Sequence, residues 1–215
     1  MPKSALFVTG GWEGHQPKVQ TGRFAAFLDA KGFRTELSDT LDAYRDGERL
    51  KSFDLIVNNW TMGELLPEQE KGLLDAVRAG TGLAGWHGGL CDSFRKSTDY
   101  QFMTGGQWVA HPGGIVDFEV RIVRKGDPIT EGLADFRIRS EQYYMHVDPS
   151  NEVLATTAFD GSRLPWIAGT VVPAAWKRRW GEGKVFYSAL GHAPGDFDIP
   201  EARTMVERGL LWAAR

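Results

Sequence analysis

Short unbroken apolar runs, each closed by small or polar residues, limit this chain more than any other feature. Residues 5–9 (ALFVT) stop at Gly10 and Gly11, residues 54–58 (DLIVN) lead into Asn59 and Trp60, and residues 82–86 (GLAGW) run into His87, Gly88 and Gly89. Runs this short, without polar alternation, suit strands covered on both faces, the signature of a parallel sheet. Helical patterns lie between them. Residues 18–31 place Val19, Ala26, Phe27 and Ala30 at helical spacing before Gly32. Residues 67–80 open with Pro67, carry Glu68 and Glu70 near the positive end, present Leu73, Leu74 and Val77 as an inner stripe, and stop at Gly80. Residues 34–37 fit a shorter strand. The alternation predicts an α/β domain with a mainly parallel sheet.

After about Gly105 the pattern changes. Residues 117–124, 136–144 and 153–157 read as strands, and residues 170–180 and 184–190 are spaced to pair through the turn at Gly181, Glu182 and Gly183. The second half therefore carries additional antiparallel strands, and a closing helix over residues 200–213 puts Ala202, Val206, Gly209 and Ala213 on one face. No internal repeat or long linker divides the chain, so residues 1–215 are expected to form one domain.

Charge narrows the function. Twenty-five Lys and Arg against 28 Asp and Glu leave a formal charge of -3, too even for a broad positive field, so neither nucleic acid nor a membrane surface is an expected partner. The start breaks its apolar run after a few residues, as a signal peptide would not, and a cytoplasmic location is expected. Cys91, the single cysteine, has no intrachain partner. Composition leaves a homo-oligomer open.

Five histidines occupy conspicuous places: His15 in GGWEGH, His87 in GWHGG, His111 in WVAHPGG, His146 in YYMHVDP and His192 in ALGHAP. His15, His87 and His192 follow expected strand ends, and in an open α/β sheet ligands bind beyond the carboxyl ends of the strands. His87 sits between glycines at a strand-to-helix turn, the small-residue spacing that presents a side chain at the top of a sheet. An imidazole there serves as general acid or base, as metal ligand, or as a cap on the sheet.

Several motifs together resemble the ThuA family of trehalose-utilisation proteins: GWHGG at 85–89, GGQWVAHP at 105–112, SEQYY at 140–144, WKR at 176–178 and GKVFYSALGH at 183–192. The resemblance runs from the GGWEGH loop to the terminal GLLWA. That family is similar in fold to class I glutamine amidotransferases, which implies a flavodoxin-like α/β sandwich. It also implies that His87 stands where those enzymes carry a nucleophilic cysteine and His192 where they carry a catalytic histidine. Here Cys91 lies one helical turn later and Pro194 stands where an acidic partner is expected, so thiolate glutamine hydrolysis is not expected and Cys91 reads as inert.

The resemblance implies a role in disaccharide catabolism, on a disaccharide or a keto-sugar. His87, His192 and Glu141 are the expected acid–base residues; the family's acidic-aromatic motif favours Glu141. A non-catalytic sugar-binding or regulatory protein and a metal-dependent hydrolase are the alternatives. In a regular strand Glu141 and Tyr143 share one face and Tyr144 and His146 the other, so His146 is expected to turn inward only beyond the strand. Trp12, Trp60, Trp86 and Trp108 offer flat faces for pyranose rings, and Glu13, Asn58, Asn59 and Gln107 offer hydrogen bonds to a carbohydrate. Trp12, Glu13, His15, Asn59, Trp60, Trp86, Gln107, His111, Tyr144 and His146 are accordingly the expected substrate-binding residues, with Trp86 and Trp60 also readable as core. Arg163, Lys177, Arg178 and Arg179 read as a solvated strand end. Residue types admit a divalent metal such as zinc, but no HxxxH, HxH or CxxC spacing requires one.

Overall fold

The computed structural model describes residues 2–215. Its elements run β1 (Ser4–Gly11), α1 (Pro17–Ala30), β2 (Arg34–Ser38), α2 (Gly47–Lys51), β3 (Leu55–Thr61), α3 (Pro67–Arg78), β4 (Gly82–Trp86) and α4 (Gly88–Cys91). They continue as α5 (Thr98–Thr104), β5 (Gly106–Ala110), β6 (Ile115–Ile122), β7 (Phe136–Glu141), β8 (Tyr144–Val147), β9 (Glu152–Ala158), β10 (Val171–Trp180), β11 (Gly183–Ser188) and α6 (Pro200–Ala213).

Nine strands form one sheet in the order β2-β1-β3-β4-β11-β10-β9-β6-β7. The first five are parallel, and their order, with β11 in fifth place, is that of flavodoxin-like sheets. β10, β9, β6 and β7 extend the sheet by antiparallel pairing. β5 and β8 make a separate two-stranded ribbon.

Alternate residues of the parallel strands enter two apolar layers. Phe7, Val57, Trp86 and Phe186 pack with Phe24 and Leu28 of α1 and with Met205, Val206 and Leu210 of α6. On the other face Leu6, Ile56, Leu83 and Val185 pack with Leu73 and Val77 of α3 and with Tyr100 and Met103 of α5. Both faces are covered, which explains why these strands carry apolar residues without alternation.

The α/β reading, the antiparallel extension and the hairpin through residues 181–182 agree with the structure. Three local expectations do not. Helix α1 turns Gln20, Thr21, Phe24, Ala25 and Leu28 to the sheet and leaves Val19 exposed, because two polar residues on that face find buried hydrogen-bond partners and apolar periodicity misses them. The strand expected over 136–144 is broken after Glu141. Gln142 anchors its side chain on Thr157 and the Ala158 carbonyl, and the chain leaves the sheet to join the β5–β8 ribbon. The basic run is not a solvated end: Lys177 and Arg178 are buried, Lys177 against Asp127 and Arg178 3.3 Å from Asp148 and 3.0 Å from Asn151.

Candidate active site

β4 ends at Trp86, and the chain must turn sharply to begin α4. His87 does this with φ 50° and ψ -134°, a conformation costly for a side-chain-bearing residue and held by its surroundings. Its N–H donates to the Ser188 carbonyl at 2.6 Å, and the Tyr187 hydroxyl donates to its carbonyl at 3.0 Å. The next two residues must be glycine on grounds of space. A Cβ on Gly88 would lie 2.8 Å from Thr61 and 2.9 Å from His15 Cε1, and one on Gly89 would lie 2.5 Å from Asn59 Oδ1. This packing drives the His87 ring into the molecule, where only 1% of its side chain is exposed.

Two other strand ends bring histidines to the same point. His15 follows β1 in a one-turn 3-10 helix and places Nδ1 2.9 Å from Thr61 Oγ1, at the end of β3. His192 follows β11. Its loop is secured by Asp196, whose Oδ2 accepts from the His192 N–H at 2.9 Å, the Gly191 N–H at 3.3 Å and the Ser140 hydroxyl at 2.6 Å. Ring centroids are 4.6 Å apart for His15 and His87, 5.2 Å for His15 and His192, and 5.5 Å for His87 and His192.

Glu141 completes the cluster from the antiparallel side. Ending β7 beside Ser140, it places Oε2 3.2 Å from His87 Nε2 and 3.2 Å from His192 Nδ1, and Oε1 3.7 Å from His111 Nε2. The His87 contact is aligned as a hydrogen bond. The His192 contact is close but off line, and Nδ1 of His192 has no hydrogen-bond partner. Tyr143, two residues on, stacks on the His87 ring with centroids 4.0 Å apart.

The electrostatics follow from crowding in a poorly hydrated place. Burial lowers the His15 imidazole to about 3, reinforced by His87 and His192 nearby, so it is neutral at pH 7. Burial alone would raise Glu141, but His192 and His87 outweigh it and hold the carboxyl far below its ordinary range. In turn the Glu141 carboxylate raises His192, against the opposing effect of burial. One carboxylate, one imidazole biased toward its charged form and one held neutral thus share a few ångströms. Burial pushes the Cys91 thiol well up, and it takes no part.

Of the expected residues, the structure brings together His15, His87, Glu141 and His192, with the Trp12 ring edge-on to His15 at 4.6 Å and His111 at the rim. It does not bring in the rest. Trp86 is a core residue whose indole N–H donates to Gln20 Oε1, and Asn59 is buried with Nδ2 on the Pro17 carbonyl and Thr21 Oγ1; neither can touch a substrate. His146 stays within β8 and faces solvent, because the chain is still paired to Gln107 there. Gln107 donates to the Trp108 carbonyl, Tyr144 packs on Phe159, Trp60 is half-buried against the core, and Glu13 is exposed. Tyr143, Thr61 and Asp196 were not among the expected site residues. Asp196 stands two residues beyond Pro194, the position at which the resemblance places the acidic partner of His192.

A groove of about 470 Å³ lies elsewhere, over β6, β7 and the 160–164 loop, and is lined by Arg121, Arg137, Arg139 and Arg163. It holds no set of converging acid–base groups, and chemistry rather than size marks the histidine cluster as the site.

A flavodoxin-like α/β fold with a histidine–glutamate cluster at the carboxyl ends of its parallel strands defines the class. The chain belongs to the ThuA family, described as trehalose utilisation, which matches residues 4–213. Its structure is similar to a putative ThuA-like protein from Parabacteroides merdae (18% identity, TM-score 0.77, covering 99% of this chain and 90% of that one). One from Bacteroides uniformis is similar to the same degree (18%, 0.77, 98% and 91%). A cytoplasmic protein from Salmonella typhimurium LT2 shares the fold at 13% identity and TM-score 0.68, over 99% of this chain and all of that one. No curated protein sequence matches the chain. Family membership assigns it to carbohydrate metabolism. Among the described residues no helix is long and apolar enough to cross a membrane.

Proposed function

We propose that this protein is an enzyme of carbohydrate catabolism that moves protons on a disaccharide or keto-sugar through His87, His192 and Glu141. One observation carries the reading: a largely buried carboxylate 3.2 Å from two imidazoles, of which it holds His192 above its ordinary range. Groups whose environments push their pKa values apart are suited to opposite halves of a proton transfer. With a keto-sugar, His87 or Glu141 takes the proton from the carbon beside the carbonyl. His192, charged, gives a proton to the carbonyl oxygen in isomerisation or to the departing glycosidic oxygen in elimination. Family membership supports a glucose disaccharide or its oxidised derivative as substrate.

The surroundings suit a polyhydroxylated ligand. Trp12 is 46% exposed beside His15, a face on which a sugar ring can stack. At the rim the Trp108 indole N–H and His111 Nδ1 are buried without partners among the described residues, and hydroxyl groups would satisfy both.

The test is incubation of the purified protein with trehalose, other glucose disaccharides and their keto derivatives, followed by chromatography and proton exchange in deuterated water. Turnover or exchange that His87→Asn abolishes is the expected result. Binding without either would overturn the enzymatic reading in favour of a sugar-binding protein.

A further inference from the structure

We propose that His15, His87, His192 and Glu141 together bind one divalent transition-metal ion of the zinc class. Each offers one ligand atom, and the four atoms lie within 4.8 Å of one another. Bonds of about 2.1 Å in a tetrahedron separate neighbouring ligand atoms by about 3.4 Å. The contacts of Glu141 Oε2 with His87 Nε2 and with His192 Nδ1, both 3.2 Å, are already near that spacing.

Tautomers supply the second argument. His87 Nδ1 is 2.9 Å from the Ala189 carbonyl, which only accepts, so that nitrogen carries the proton and Nε2 of the neutral ring presents a lone pair to the centre. Facing it is a carboxylate oxygen, also an acceptor. Two acceptors at 3.2 Å in a buried place repel unless a proton or a metal cation lies between them. His15 Nδ1 is anchored on Thr61 Oγ1, a hydroxyl that can accept its proton, and its other nitrogen has no hydrogen-bond partner among the described residues. A second ring nitrogen anchored on a carbonyl or hydroxyl is the way proteins orient histidine ligands. His192 Nδ1, buried and unpartnered, is a third open donor atom.

Three imidazoles and one carboxylate select the ion. Magnesium and calcium require sets of oxygens, whereas imidazole nitrogen suits zinc and its first-row neighbours. Once His192 gives up its proton on binding, three neutral rings and a single negative charge leave the site complementary to a doubly charged cation. The site shares His87, His192 and Glu141 with the proposed proton transfer, and its test uses no substrate, so its failure leaves that reading standing.

The experiment takes untagged protein, stripped with a chelator and desalted, and titrates it with zinc chloride alone, with magnesium chloride as control. Calorimetry, elemental analysis after desalting and the melting temperature are the readouts. About one zinc per chain, a higher melting temperature and no response to magnesium are expected. His15→Asn and Glu141→Gln should weaken zinc binding at least tenfold. Thr61→Val leaves every ligand in place but frees the His15 ring, and should weaken binding about 10- to 100-fold. Folded protein that takes up no zinc overturns the proposal, as does unchanged affinity in the ligand variants. Should those variants unfold by circular dichroism, unchanged affinity in Thr61→Val overturns it.

Discussion

The two halves of the nine-stranded sheet handle their side chains differently. Every residue of β4 is buried, whereas β7 alternates, burying Phe136, Ile138 and Ser140 and exposing Arg137 and Arg139. Helices cover both faces of the parallel half, so a polar group there reaches a ligand only beyond a strand end. His15, His87 and His192 are all of this kind. At the antiparallel edge β6 and β7 have an open face, yet Glu141, where β7 leaves the sheet, is the residue that meets the cluster. One half thus supplies a set of imidazoles in tight turns, and the other supplies the carboxylate that raises His192.

If the two halves share one catalytic unit, His87→Asn and Glu141→Gln should each lower turnover of the keto-sugar by about 10²–10⁴-fold. The double variant should lose little more than the worse single one, since groups acting as a unit are not additive. Full turnover in Glu141→Gln would reduce the antiparallel half to a frame.

A smaller effect separates the halves by stability. Gly85 of β4 has no room for a side chain: a Cβ would lie 2.6 Å from the Asn58 carbonyl oxygen and 2.8 Å from Leu90 Cβ. Gly85→Ala should cost about 1–3 kcal/mol by overpacking, while Arg137→Thr on the open face of β7 should stay within about 0.5 kcal/mol. Urea denaturation midpoints measure both, and equal shifts would show that the open face is not tolerant.

The smallest expected effect is at Cys91. Burial raises its thiol, so little reactive thiolate exists at pH 8, and alkylation should proceed only as fast as the native chain opens. Cys91→Ser should leave turnover unchanged. Rapid labelling of folded protein with loss of activity would return the thiol to the site.

Where a segment's own residues decide its structure, the sequence was readable. β4 and α6 have the bounds their patterns suggest, because apolar runs, Pro200 and flanking glycines act within a few residues. The His87 turn was visible for the same reason: glycines at 85, 88 and 89 are needed wherever backbone and neighbours come that close. The inward face of α1 was not visible, because Gln20 is buried by hydrogen bonds to carbonyls at 15 and 191, the latter 171 positions away.

The tryptophans show the same division. Trp86 and Trp12 are the same residue type beside adjacent loops, yet one is enclosed by Phe24 and Phe197 and the other is open.

Local pattern therefore determined the parallel strands, helices α1, α3 and α6 and the three histidine-bearing turns, but not α2, α5 or the β5–β8 ribbon, since strand burial and turn sterics act over short stretches of chain. Tertiary structure decided that the turns share one point, that Glu141 from 54 residues beyond His87 lies between two of the rings, and that His146 does not. Sheet order and the break after β7 make those choices. They depend on packing between distant segments, which periodicity within any one segment does not encode.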